Sequence, residues 1–142
     1  MLKFRNIPLF TALFTLVCSP AAAQNFVDMK ETAIVRIVER DYAGFIRQKE
    51  ILNDNHSYLK YETGDGLQTL LIFLDQKGVC TEVRLSFDKS VYVEKLGMLN
   101  KMYSNSGNGL WTDKRGGKEY IITLADENWY YTLKFKGTGN SF

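Results

Sequence analysis

The chain has 142 residues, with 18 Lys and Arg against 16 Asp and Glu, one histidine and two cysteines. Its length suits one hydrophobic core rather than several. One histidine is too few for a standard zinc centre, and no Lys/Arg cluster marks a nucleic-acid surface, so neither a metal, a cofactor nor a nucleic acid is expected.

Met1 to Ala23 reads as an export leader. Lys3 and Arg5 form a positive start, Leu9 to Val17 is mainly apolar, and Ala21-Ala22-Ala23 fits the small-residue cleavage rule. The apolar stretch is too short for a permanent membrane span. Cleavage after Ala23 predicts a periplasmic or secreted protein beginning at Gln24, a single exported domain over residues 24–142. Lipid attachment at Cys18 is the alternative, but Leu16 and Val17 stand where a lipoprotein signal wants small residues. Lys3 and Arg5 leave with the leader and no acid does, so the mature chain carries 16 charges of each sign. Only Cys80 remains, which excludes an intramolecular disulfide. It reads as a small buried hydrophobe.

Asp28 to about Tyr42 predicts the first helix, with Asp28 and Glu31 as a capping-box-like start and Ile34, Ile37, Val38 and Tyr42 on one stripe. Phe45 to Leu52 fits either a short strand or an irregular edge. Ser57 to Thr63 is a strand with Leu59 and Tyr61 on one face and Tyr58, Lys60 and Glu62 on the other.

The organising stretch is Leu67 to Phe87, two apolar runs joined by Asp75-Gln76-Lys77-Gly78 and read as a central β-hairpin. Gly78 supplies the positive φ of a bulged turn. That register pairs Phe73 with Thr81 and Leu71 with Val83, so Leu71, Phe73, Val83 and Leu85 are expected in the core. Leu70, Ile72 and Leu74 then share the second face with Cys80, Glu82 and Arg84.

After Phe87 the period becomes helical. Asp88 or Ser90 can cap, and Tyr92, Leu96, Leu99 and Tyr103 follow on one stripe. Ser104 to Gly109 ends the helix, and Trp111 opens a short strand. Lys114-Arg115 with Lys118 reads as a solvated tip around Gly116-Gly117. Tyr120, Ile122 and Leu124 alternate, Asp126-Glu127-Asn128 turns the chain, and Trp129, Tyr131, Leu133 and Phe135 form the last inward face. Tyr130 points the other way. The whole reads as an α+β fold: an antiparallel sheet of about six strands, two helices on one face, and a pseudo-repeat of one helix plus three strands.

Three short stretches, Asp28-Met-Lys-Glu31, Tyr58-Leu-Lys-Tyr61 and Asp75-Gln-Lys-Gly78, set in this order, resemble small exported modules of the SmpA/OmlA type. The duplicated arrangement resembles the β-lactamase-inhibitor-protein fold and the small exported proteins of the Bacteroidota. Arg40-Asp41-Tyr42 stands where such modules often carry Gly-x-Pro-Asp. The resemblance implies protein binding or an envelope role and carries over no catalytic residue.

No catalytic constellation is recognisable. His56, the one histidine, lies in a turn, and a Ser-His-Asp or Cys-His arrangement would need partners from elsewhere. Asn55-His56-Ser57 matches a glycosylation sequon. Glu62, Glu82 and Asp113 are the carboxylates a hydrolase could use. The expected function is non-enzymatic protein binding through the sheet, with Leu70, Ile72, Leu74 and Tyr130 as the candidate surface. The partner would be an envelope or secreted protein, or a second copy of the chain. The other readings are a small-ligand carrier with a cavity between sheet and helices, and a carboxylate-based hydrolase.

Overall fold

The computed structural model describes residues 24–48 and 57–139. The expected leader, His56 and Asn55 of the sequon, residues 49–52 of the Phe45–Leu52 segment and the last three residues lie outside them. Ile34, Val38 and Tyr42 recur at a helical period and are buried, and around them runs helix α1 (Glu31–Asp41). Asp28 does not cap it. The first turn is held instead by Glu31 N–H donating to Gly78 O at 2.9 Å. Asp28 sits at φ 70, where Asp and Asn are the side chains most readily accommodated, and its carboxylate points elsewhere.

Strands β1 (Phe45–Arg47), β2 (Ser57–Thr63), β3 (Gln68–Leu74) and β4 (Cys80–Asp88) follow as an antiparallel meander. Asp88 accepts a hydrogen bond from Ser90 N–H and opens a 3₁₀ turn, Lys89–Val91, that leads into helix α2 (Tyr92–Met102). Strands β5 (Ser104–Gly107), β6 (Leu110–Arg115), β7 (Lys118–Asp126) and β8 (Tyr130–Gly137) form a second meander. Pairing of β4 with β8 joins the two into one eight-stranded antiparallel sheet, ordered β1-β2-β3-β4-β8-β7-β6-β5. Each half is therefore a helix followed by four strands, mirrored about the β4·β8 seam. The two strands beyond the expected six are the short edges β1 and β5. β5 is Ser-Asn-Ser-Gly, with no apolar alternation to announce it.

Both helices cover one face. Ile34 and Val38 of α1 and Leu99 of α2 share a single core with Leu59, Tyr61, Leu70, Ile72, Leu74, Val83, Leu85, Phe87, Trp111, Ile122, Leu133 and Phe135. Burial of each large side chain contributes roughly 1.5–3 kcal/mol, an upper estimate.

The register of the central hairpin corrects the sequence-based expectation. Asp75 Oδ1 accepts from Lys77 N–H and Val79 N–H, Gly78 takes φ 71, and Leu74 lies opposite Cys80 as expected. The ladder then shifts between Phe73 and Leu74. Phe73 pairs with Glu82 and Leu71 with Arg84, which leaves Thr81 as the extra residue of a β-bulge. The bulge turns Val83, Leu85 and Phe87 onto the face of Leu70, Ile72 and Leu74. Without it, one of these triplets would face solvent. Burying three such side chains contributes several kcal/mol at roughly 1.5–3 each, against about 1 kcal/mol for a lost ladder bond. Leu71 and Phe73, expected in the core, are only half-buried on the opposite face.

Candidate functional site

The helix-free face can be read off the register in rows. One row is Tyr58, Phe73, Glu82, Lys136, Ile121 and Thr112; the next is Lys60, Leu71, Arg84, Lys134, Thr123 and Leu110. A third runs through Glu62, Thr69, Ser86, Thr132 and Ala125, and beyond it Asp88 lies opposite Tyr130. The Arg84 guanidinium sits over the Phe73 ring at 4.8 Å, and the Tyr58 and Phe73 rings are 6.0 Å apart. Arg84 and Lys60 thus cover with their stems part of the apolar surface that Leu71 and Phe73 leave open.

Of the four residues expected to form a binding surface, the structure keeps one there. Leu70, Ile72 and Leu74 are buried beneath the helices, because the bulge aligns them with Val83 and Leu85 on the covered face. Tyr130 does lie on the helix-free face and is 44% exposed. Beside it Trp129, expected in the core, is 84% exposed. Alternation fails at Trp129 because β8 begins one residue later, with Tyr130 opposite Asp88, so Trp129 belongs to the turn.

These two aromatics border a cleft of about 450 Å³ at the end of the β3·β4·β8 seam, lined also by Gly66, Leu67, Thr69, Ser86 and Asp88. Leu67 is itself 38% exposed. Ser86 Oγ and Thr132 Oγ1 lie 3.3 Å apart across the seam and share a hydrogen bond. Asp65 Oδ1 accepts from Thr63 Oγ1 and from Leu67 N–H, which fixes the β2–β3 turn on one side of the cleft. Lys89 Nζ meets Asp126 at 2.9 Å and lies over the Tyr131 ring, fixing the β7–β8 turn on the other side. Sequence reasoning missed Leu67 and Trp129. The signal is positional: each is an apolar residue standing immediately after a polar turn and before its strand's first ladder pair.

The candidate carboxylates do not assemble into a hydrolytic pair. Glu62 pairs with Lys60 at 2.6 Å. Glu82 is bound by Lys136 at 2.9 Å and by Arg84. Burial raises its pKa, but the hydrogen bonds from Lys136 and Arg84 outweigh that and hold it below the usual carboxylate range. A glycosidase acid needs the opposite shift. Asp113 lies on the other face, where it accepts from Asn25 Nδ2 at 2.8 Å. Cys80 is fully buried, and burial pushes its thiol up to about 12. Among the described residues no group of three or more His, Cys, Asp or Glu could hold a metal ion. No described helix is long and apolar enough to cross a membrane.

The basic group around Gly116-Gly117 is more than a solvated tip. Arg115 Nη1 and Nη2 donate to the carbonyls of Asn25 and Val27, both at 3.0 Å, and Lys118 Nζ reaches Asp28 at 3.1 Å. Arg115 and Lys118 therefore hold the N-terminal segment. The space between helices and sheet is filled by the core side chains, Phe26 and Val27 of that segment among them. No protein-family model matches this chain, no curated protein matches it, and no solved structure matches it.

Proposed function

We propose that this chain is an exported, non-enzymatic domain that binds another protein through the helix-free face of its sheet, centred on the cleft beside Trp129 and Tyr130. One observation carries the reading. Two large aromatics and Leu67 are left in solvent around a single cleft, in a fold that buries its other tryptophan completely. Trp and Tyr are the residue types most enriched at binding hot spots, and contiguous exposed apolar surface on a small domain marks interaction sites. Leu71, and in the row beyond it Phe73 and Tyr58, lie further along the same face.

The test compares wild type with the double variant Trp129→Ala, Tyr130→Ala. Binding partners are recovered from the envelope fraction of the producing cell, purified, and titrated calorimetrically against both proteins. The expected result is a loss of affinity of at least about tenfold, or roughly 1.4 kcal/mol, at an unchanged melting temperature. A partner bound equally well by both proteins would rule out this face.

A further inference from the structure

We infer that the occupant of the Trp129–Tyr130 cleft is a peptide segment presenting an arginine or lysine, its cationic head against the two rings and facing Asp88, with an apolar neighbour on Leu67. This rests on the protein-binding reading above and specifies the chemistry of the partner.

Charge is unevenly distributed over the helix-free face. At the cleft end stands Asp88, with Asp65 and Glu127 in the flanking turns; Asp126, level with Tyr131 on the helix side, is engaged by Lys89. Among the described residues Asp65, Asp88 and Glu127 have no ion-pair partner, and Asp88 lines the cleft itself. Its Oδ1 accepts from Ser90 N–H at 2.8 Å. Further along the same seam the sign reverses, with Arg84, Lys134 and Lys136 in the next rows against one carboxylate, Glu82, which Arg84 and Lys136 bind. Lys134 has no ion-pair partner among the described residues, so a carboxylate-bearing segment would be drawn there and away from the acidic end. Residues 24–142 carry 16 charges of each sign, so this polarity belongs to the face rather than to bulk composition.

An exposed indole and phenol beside a carboxylate match a cation's needs. The ring faces attract it through their quadrupoles, and the carboxylate supplies the counter-charge. A uniformly basic chain would be repelled at the Arg84–Lys134 rows. The occupant is therefore an isolated basic residue among apolar or neutral ones, and polylysine is a poor fit.

Two acetylated, amidated peptides serve as probes, one with a single arginine among leucines and serines, the other with glutamate in its place. Binding is read from the indole N–H signals of the ¹⁵N-labelled protein. Trp129 reports the cleft, and Trp111, buried and bonded to Asn100 Oδ1 at 2.8 Å, is the internal control. The arginine peptide should shift the Trp129 signal saturably, and the glutamate peptide should bind at least tenfold more weakly. Asp88→Asn, which keeps the capping hydrogen bond, should weaken the arginine peptide several-fold and bring the two probes closer together. Equal binding of both peptides, or no response of Trp129 to either at millimolar concentration, would overturn the inference. A recovered partner that depends on Trp129 but docks an acidic or uncharged segment would overturn it while leaving the protein-binding reading intact. A partner indifferent to Trp129→Ala would overturn the reading beneath it.

Discussion

Neighbouring residues on β3 illustrate how one position along a strand decides a side chain's fate. Ile72 is fully buried between Leu59 and Val83, while Leu71, one residue away, is half-buried between Lys60 and Arg84. Ile72→Ala should cost about 2–5 kcal/mol in a denaturant titration, the range for emptying a packed site. Leu71→Ala should cost clearly less, because water already reaches it and no closed cavity forms. Trp129→Ala, despite removing the larger side chain, should stay within about 0.5 kcal/mol, since so little of the indole is packed. A Trp129 variant as destabilised as Ile72→Ala would show that the indole packs against the fold, and the binding surface would lose its central residue. Exposure without a stability contribution is what marks Trp129 as available for a partner.

Strand β4 carries one residue more than its partner needs. Thr81 is the unpaired residue, and both flanking registers are already in phase without it: Leu74 lies opposite Cys80 and Phe73 opposite Glu82. Deleting Thr81 should close the strand into a regular ladder and leave every side chain from Glu82 to Phe87 on its present face. Deleting Val83 closes the same gap at the wrong place, moving Glu82 into the buried position with its charge. The Thr81 deletion should keep a dispersed amide spectrum and a cooperative melt, and the Val83 deletion should lose both. If the Thr81 deletion unfolds the protein, the bulge has a second role. The neighbouring bonds suggest where that would lie. Asp28 N–H donates to Cys80 O and Cys80 N–H to Met29 O, both at 2.8 Å, so β4 changes partner from β8 to the N-terminal segment just beside the bulge.

That segment ties the two halves of the molecule together. Gln24 N–H donates to Tyr42 Oη of the first half at 2.8 Å. In the second half Tyr103, Asp113 and Arg115 hold Asn25, and Tyr120 Oη and Lys118 Nζ donate to Asp28 Oδ2 at 2.8 and 3.1 Å. The hydrogen bond from Tyr120 is the main cause holding the Asp28 carboxyl below its usual 3.8, helped by Lys118, although burial works the other way. A depressed folded-state pKa contributes stability that is present above the unfolded value and is lost as the pH falls through the folded one. Asp28→Asn accepts the same left-handed backbone, removes the charge and keeps one acceptor oxygen for Tyr120. The variant should melt below wild type at neutral pH, and the gap should narrow as the pH is taken below 3.8. Thermal melts across that range decide it; a gap independent of pH would mean the carboxylate's ionisation contributes nothing to the clamp.

Much of this architecture is legible residue by residue. The period-two runs of β2, β7 and β8 and the helical stripes of Ile34–Tyr42 and Tyr92–Tyr103 identify their elements, because side-chain direction follows local backbone geometry. The turn at Asp75–Gly78 is equally local, resting on one carboxylate and one positive φ. Of the two edges, β1 was legible as a short strand or an irregular edge, and β5 was not legible at all. β5 pairs through its backbone alone, and nothing in Ser-Asn-Ser-Gly distinguishes a strand from a loop. The choice of buried face was not legible either. On β3 both alternate sets, Leu70-Ile72-Leu74 and Leu71-Phe73, are apolar enough to be core. The decision came from packing across strands: a bulge at Thr81 lets three residues of β3 and three of β4 be covered together, and the free energy of burying that joint surface exceeds the cost of one missing ladder bond. The same long-range choice sent Leu70, Ile72 and Leu74 inward, whereas Tyr130 faces outward by local alternation and Trp129 by belonging to the turn before β8. A binding surface depends on which face remains uncovered, and that is settled only when both helices and all eight strands have come together.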